Sequence, residues 1–196
     1  MSGQKRPYRK QRRAELEEGT RLRITESAVA LHGTVGPAYT SISALAEHAG
    51  VRRSTVYRHF PDEASVVAAC SAHWLAANPL PDLARWGEIE DPDRRLRSAL
   101  EELYARYRRT EAMMANLLRD EDAVVPIKQG MERFRGYLGA ARDVLMEGRR
   151  GRGRARVEAA TGHALAFTTW RSLARDQGLD DRRAADLMCR LVAAAA

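Results

Sequence analysis

The stretch TSISALAEHAGVRRSTVYRHFP, Thr40 to Pro61, decides how the rest of the chain is read. Ile42, Leu45, Ala46 and Ala49 fall at i, i+3, i+4 and i+7, which predicts a short helix with one narrow buried stripe, capped by Thr40 or Ser41. Gly50 ends it. After a turn at Gly50 and Val51, a second short helix is predicted from about Arg52 to His59, with Val56 and Phe60 directed inward and polar groups elsewhere. Two short helices joined by a glycine turn form a supersecondary unit. A helix that reads the DNA major groove must be slim, polar on its outer side and anchored from behind by apolar residues. Arg52, Arg53, Ser54, Thr55 and Arg58 offer cations and hydroxyls to base edges and phosphates, and Tyr57 and His59 can reach phosphate oxygens. Ser41 opens the preceding helix, whose amino-terminal N–H groups suit a phosphate. Such contacts position the protein, while base contacts specify the sequence.

Outward from this stretch, apolar residues keep a helical spacing to both ends and no alternating β-branched run occurs, so the fold is expected to be all-α with about nine helices. A helix from about Thr20 to His32 carries Ile24, Ala28 and Leu31 on one face and stops at Gly33, Gly36 and Pro37. Before it, Lys5, Arg6, Arg9, Lys10, Arg12 and Arg13 show no apolar period, and residues 1–18 read as a flexible basic arm that favours polyanions. Pro61 and Asp62 open a fourth helix with Val66, Cys70, His73, Trp74 and Ala77 inward, closed by Asn78, Pro79 and Pro81. After a linker, Asp91 and Pro92 start a fifth carrying Leu96, Ala99, Leu100, Leu103, Tyr104 and Tyr107. Further helices are predicted through Met113–Leu118, through Ile127–Leu145, from about Arg156 to Gln177, and from Asp180 onward. The division expected is an arm over 1–18, a three-helix DNA-binding domain over 19–62 and a larger helical domain over 63–196.

The charge is distributed in a way that supports this reading. The 196 residues carry a net +7, of which +6 lies in residues 1–60, where 11 Lys and Arg face 5 Glu. Arginine is abundant throughout, so its position carries the argument and its number does not. Two cysteines, Cys70 and Cys189, are too few for a disulfide framework and lack metal-ligand spacing, so neither a metal nor a cofactor is expected. No apolar run approaches the roughly 20 residues of a membrane helix, and the amino terminus is polar, which points to the cytoplasm and away from a membrane partner. Gly151-Arg152-Gly153 follows no predicted strand, and Ser172 and Asp176 near His163 are ordinary surface residues, so no catalytic role is expected. The Arg/Gly segment 149–156 suggests RNA binding or scaffolding as a rival, but it is short and has no aromatic residue for stacking.

Thr40-Ser41-Ile42 through Leu45-Ala46, Ala49-Gly50-Val51, Thr55-Val56-Tyr57 and His59-Phe60-Pro61 resemble, in order and without gaps, the DNA-binding domain of the TetR/AcrR family. The resemblance covers about Arg21 to Trp74 and includes Gly36 at the turn after the first helix. It implies a transcriptional regulator, usually a repressor, that binds a palindromic operator as a homodimer and is released by a small-molecule effector. By position it places Thr55, Tyr57 and His59 at common DNA contacts and Arg53 and Arg58 at positions that set sequence preference. Arg52 stands where the family usually has a capping Ser, Ser54 where Gly or Ala is frequent, and Glu63 where Lys is common.

The remaining two-thirds would then bind the effector and dimerise. Tyr104, Tyr107, Met113, Met114, Leu117, Phe134 and Trp170 are candidate cavity linings, because Met adapts to irregular space and Tyr or Trp adds a polar tip. His163, on one face with Phe167, Trp170 and Ala174, is a candidate polar anchor. Ordinary core packing explains the same residues. Ala160, Ala164, Leu165, Thr168 and Leu173 with Ala184, Leu187, Met188, Leu191 and Val192 suit helix pairing between protomers. A dimer would set two reading helices one DNA turn apart, and the fourth helix would serve as lever between body and reader. Control by a protein partner instead of a small ligand is the alternative.

Overall fold

The computed structural model describes residues 5–196, apart from the side chains of residues 5–7 and 9. Among the described residues there are ten α-helices and no strand: α1 (Lys5–Thr34), α2 (Ile42–His48), α3 (Arg53–His59), α4 (Glu63–Ala77), α5 (Leu83–Gly87), α6 (Pro92–Asp120), α7 (Val125–Met146), α8 (Arg154–Leu165), α9 (Phe167–Arg171) and α10 (Asp181–Ala194). A 3-10 turn, Pro37–Tyr39, links α1 to α2, and a π-helical turn, Ser172–Asp176, follows α9. No described helix is long and apolar enough to cross a membrane.

Acidic and hydroxyl side chains start five of these helices. Ser41 Oγ accepts the Ala44 N–H, Asp62 that of Ser65, Asp82 that of Ala84, Asp91 those of Asp93 and Arg94, and Asp180 that of Arg183. Each satisfies a donor that the first helical turn leaves unpaired.

Besides α5, which forms where a linker was expected, three elements differ from the sequence expectation. α1 begins at Lys5, so the stretch read as a flexible arm is helical from that residue; residues 1–4 lie outside the described ones. Residues 9–18 are almost all strong helix formers, Arg13 and Glu17 pair at 3.1 Å across one turn, and Pro7 falls in the first turn, where its missing N–H breaks no bond. A solvated helix has no apolar stripe by which to be recognised. Second, the fifth helix and the Met113–Leu118 segment are one 29-residue helix, α6. Third, the helix expected from Arg156 to Gln177 is broken at Ala166, whose ψ of 135° is extended.

The break at Ala166 has partners waiting for it. Interrupting the ladder removes the N–H donors that the Ala164 and Leu165 carbonyls would have had, and the Tyr104 and Tyr107 hydroxyls donate to them at 2.8 and 2.7 Å. Both tyrosines are fully buried, and burial holds their hydroxyls well above the ordinary phenol range, hence protonated. Replacing Tyr107 by Phe leaves the Leu165 carbonyl buried without a donor. It is expected to cost about 1–3 kcal/mol, read as a lowered midpoint in urea; an unchanged midpoint would show that the bond contributes nothing.

The chain forms two compact units. One comprises the described residues up to Ala77 together with Ala112–Gln129; the other comprises Asn78–Glu111 and Gly130–Ala196. The division does not fall at residue 62, because α4 packs on α1 and the last turns of α6 join the same unit. The core of the first unit is Ile24 and Ala28 of α1, Leu45, Ala46 and Ala49 of α2, Val56 of α3, and Phe60, Val66 and Cys70. In the second, Tyr104, Tyr107, Phe167 and Trp170 pack ring on ring with centroids 5.3–6.3 Å apart. There Arg95, itself buried, donates to the Val144 and Glu147 carbonyls at the end of α7.

Candidate nucleic-acid interface

α3 is seven residues long and held on one side only. Val56 is completely buried, whereas Arg53, Ser54 and Arg58 are exposed, Tyr57 is about half exposed (47%), and Thr55 is half-buried. Arg52 occupies the cap position with extended backbone and makes no side-chain capping bond, so its guanidinium is not tied to the helix start. Ser41 is exposed, and its Oγ is engaged in capping α2. His59 is turned differently: it is half-buried and its Nε2 faces inward with no hydrogen-bond partner, so its ring is not wholly presented outward. The turn between α2 and α3 depends on Gly50, at φ 64°, and is closed by the Val51 N–H on the Ala46 carbonyl at 2.9 Å.

Two supports of α3 and the turns around it lie far off in sequence. Arg21 of α1 donates to the His59 carbonyl at 2.8 Å and stacks over the Phe60 ring, placing a cation at the negative end of α3. The final turn of α6 grips the α1–α2 turn. Asn116 donates to the His32 carbonyl at 2.9 Å, Arg119 to the Val35 carbonyl at 2.7 Å, and the buried Asp120 accepts the Ala38 N–H at 3.1 Å while paired with Arg119. Arg119 also covers the Tyr39 ring. The Arg119 guanidinium holds the Asp120 carboxyl below its usual range, so both remain charged at neutral pH. Gly36 lies beneath this clasp at φ 99° and ψ 158°. Periodicity within α1 or α6 gives no hint of these pairs, since their partners are about eighty positions away.

Residues 24–70, which span the last third of α1, the whole of α2 and α3 and half of α4, match the family described as bacterial regulatory proteins, tetR family. That segment is of the TetR family. The chain's fold agrees over nearly its full length with solved structures of low sequence identity. A TetR-like transcriptional regulator from Rhodococcus sp. RHA1 has a TM-score of 0.63 at 19% identity, over 88% of this chain and 93% of that one. NalD, the secondary repressor of the MexAB-OprM multidrug efflux pump in Pseudomonas aeruginosa, has 0.59 at 22%, over 92% and 97%. FadR from Bacillus subtilis, solved in complex with stearoyl-CoA, has 0.62 at 16%, over 89% and 98%. No curated protein matches the sequence significantly. The family that matches residues 24–70 is one of regulatory proteins.

The expected lining residues are divided between the two units. Tyr104, Tyr107 and Trp170 are completely buried and Phe134 half-buried, and their polar tips are engaged: the tyrosines on α8 carbonyls, the Trp170 N–H on Asp181 at 2.8 Å. Burial would raise the Asp181 carboxyl, but hydrogen bonds from Arg108 and Trp170 outweigh it and hold the group below its usual range. Met113, Met114 and Leu117 belong to the first unit instead, with Met113 against Gly33. His163 is exposed, with Thr169 Oγ1 at 3.3 Å. A surface groove of about 640 Å³ is lined by Arg97, Glu101, Arg182, Asp186 and Leu187 among others, none of them an expected lining residue. Of the pairing residues, Ala164, Leu165, Ala184, Met188 and Val192 are buried within the protomer, and Thr168, Leu187 and Leu191 are exposed.

Proposed function

We propose that this protein is a cytoplasmic transcriptional repressor that binds a palindromic operator as a homodimer through α3 and is released by a small-molecule effector. The observation that carries the reading is α3 itself: a seven-residue helix with Val56 as its buried anchor and Arg53, Ser54, Tyr57 and Arg58 on the side left to solvent. Arg53 and Arg58 supply forked donors for guanine edges or phosphates, Thr55 and Tyr57 supply hydroxyls, and Ser41 and Arg52 flank them at the phosphate backbone. Leu187 and Leu191, exposed on α10 beside Asp186 and Arg190, support self-pairing, because a two-fold interface brings the same patch against itself. NalD is a repressor and FadR was solved with stearoyl-CoA, so acyl-CoA thioesters are the first effectors to try.

The experiment is a mobility shift on the promoter region of the chain's own gene, with light scattering of the complex to count protomers. Wild-type protein is expected to prefer that fragment over random duplex and to bind as a multiple of two. Arg53→Ala or Thr55→Ala is expected to weaken the specific complex by about 1–3 kcal/mol and to leave binding to random duplex nearly unchanged. Equal selectivity in wild type and variants would remove α3 from the reading role.

A further inference from the structure

The amino-terminal end of α1 is a helix that the domain's core does not use. Buried residues of α1 begin at Ile24, while Tyr8 and every position from Lys10 to Gly19 are exposed, so some fifteen residues of helix, about 22 Å, run past the packed core. At roughly 100° per residue, positions 5, 6, 9, 10, 12 and 13 share one arc of about 160°. All six are Lys or Arg. The opposite side takes positions 7, 8, 11, 14, 15 and 18, which include Glu15 and Glu18; Glu17, on the cationic side, pairs with Arg13. A disordered arm would have the same charge but no face.

The direction of that face follows from the same helical register. Of the buried residues by which α1 packs into its unit, Ile24, Ser27 and Ala28 lie within the arc of the six cations, and Thr25 and His32 about 40–60° beyond its edge. The exposed extension ends two residues before Arg21, the residue that touches the end of α3, and Arg21 lies at the edge of the cationic arc. Cations therefore continue along one helix from beside the place where α3 ends, on an arc that overlaps the packed face.

We infer that the first turns of α1 are a second DNA-binding site, a helical cationic face that lies on the phosphates of the duplex flanking the half-site. The inference rests on the reading of α3 as the operator probe and adds a contact outside the operator. A membrane surface is a poor match, because the side away from the cations carries Gln11, Glu15 and Glu18 where an interfacial helix needs an apolar face. Single-stranded nucleic acid is a poor match too, with Tyr8 the one aromatic residue on this segment.

The test uses the full chain and duplexes selected from a random pool by the wild-type protein, either trimmed to the half-site edges or extended by about ten base pairs on each side, roughly one turn. Two variants are compared with it: Lys5, Arg6, Arg9, Lys10, Arg12 and Arg13 all changed to Gln, and Ala14→Pro, which keeps every cation but breaks the helix that aligns them. For wild type, the flanks are expected to improve binding about 10- to 100-fold near 0.1 M salt and to steepen the log–log salt slope by about 2–4. The Gln variant loses the whole gain and Ala14→Pro most of it, while both keep the wild-type preference among trimmed duplexes. Wild-type affinity that ignores flank length overturns the inference, as does Ala14→Pro behaving like wild type, since a loose polycation would then suffice. Stronger extension-dependent binding to an RNA hairpin or to anionic vesicles than to the flanked duplex also overturns it. Failure of the α3 reading has a different appearance: the pool yields no preferred duplex, and the site inferred here falls with the operator it flanks.

Discussion

Gly36→Ala is expected to destabilise the first unit by about 3–5 kcal/mol. At φ 99° and ψ 158° the backbone occupies a region that is essentially closed to residues with a Cβ, and entering it costs of order 1–3 kcal/mol. The space is closed as well: a Cβ built there runs into the Arg119 guanidinium and the Asp120 carboxylate, so the clasp must open to admit it. Opening it removes the acceptor from the Ala38 N–H and displaces the buried Asp120 charge from its partner, a further cost of about 1–3 kcal/mol. Gly50→Ala is the matched control, with φ 64° and no atom within 4 Å of the added carbon, so backbone strain of about 1–2 kcal/mol is its whole effect. Urea unfolding of the two variants measures the difference. If Gly36→Ala were no more damaging than Gly50→Ala, the last turn of α6 would not be gripping the α1–α2 turn.

Acid is expected to remove about 2–3 kcal/mol of stability between pH 7.5 and pH 4.5 through His32 alone. This histidine is 4% exposed, and its Nδ1 lies 3.4 Å from the Cys70 sulfur. Burial lowers its pKa from 6.5 to about 4, against a smaller opposing pull from Asp120, and burial pushes the Cys70 thiol up to about 12. The thiol therefore stays protonated and can donate to an unprotonated Nδ1. Because the folded value lies below the unfolded one, the unfolded chain takes up its proton first as pH falls. The contribution is complete above pH 6.5 and declines through the window down to about pH 4. His32→Gln should flatten the dependence in that window whatever its own stability at pH 7.5, and an unchanged pH profile would show that His32 titrates normally. Both effects fall on the unit that carries α2 and α3, so the DNA binding proposed for α3 should weaken along with stability.

The reading helix was legible because its signals are local. The spacing of Ile42, Leu45, Ala46 and Ala49, the Ser41 cap, Gly50 in the turn and Val56 behind a polar surface all lie within twenty-two residues. Caps at Asp91 and Asp180 were legible for the same reason, since a helix start is set by a side chain and the backbone two or three residues on. The continuous α6 was harder: no Gly or Pro interrupts Pro92–Asp120, but its buried face changes partners along its length, and two stripes resemble two helices. His163 and the aromatic residues around it matched the pattern of a pocket, yet the pattern cannot tell whether a tyrosine tip meets a ligand or the carbonyls of a helix that ends at Leu165.

By itself the sequence determined an all-helical chain, a helix-turn-helix over Ile42–His59 and the residues that face away from its core, because period, cap and turn act over the few residues that encode them. Only the tertiary structure decided that Asp120 holds Ala38, that Cys70 meets His32, that Tyr107 tends a break at Ala166 and that helix extends back to Lys5. The first three depend on which faces of distant helices meet, where burial changes what a polar group must find as a partner. The fourth depends on backbone hydrogen bonding in a solvated segment, which leaves no mark on the pattern of apolar residues.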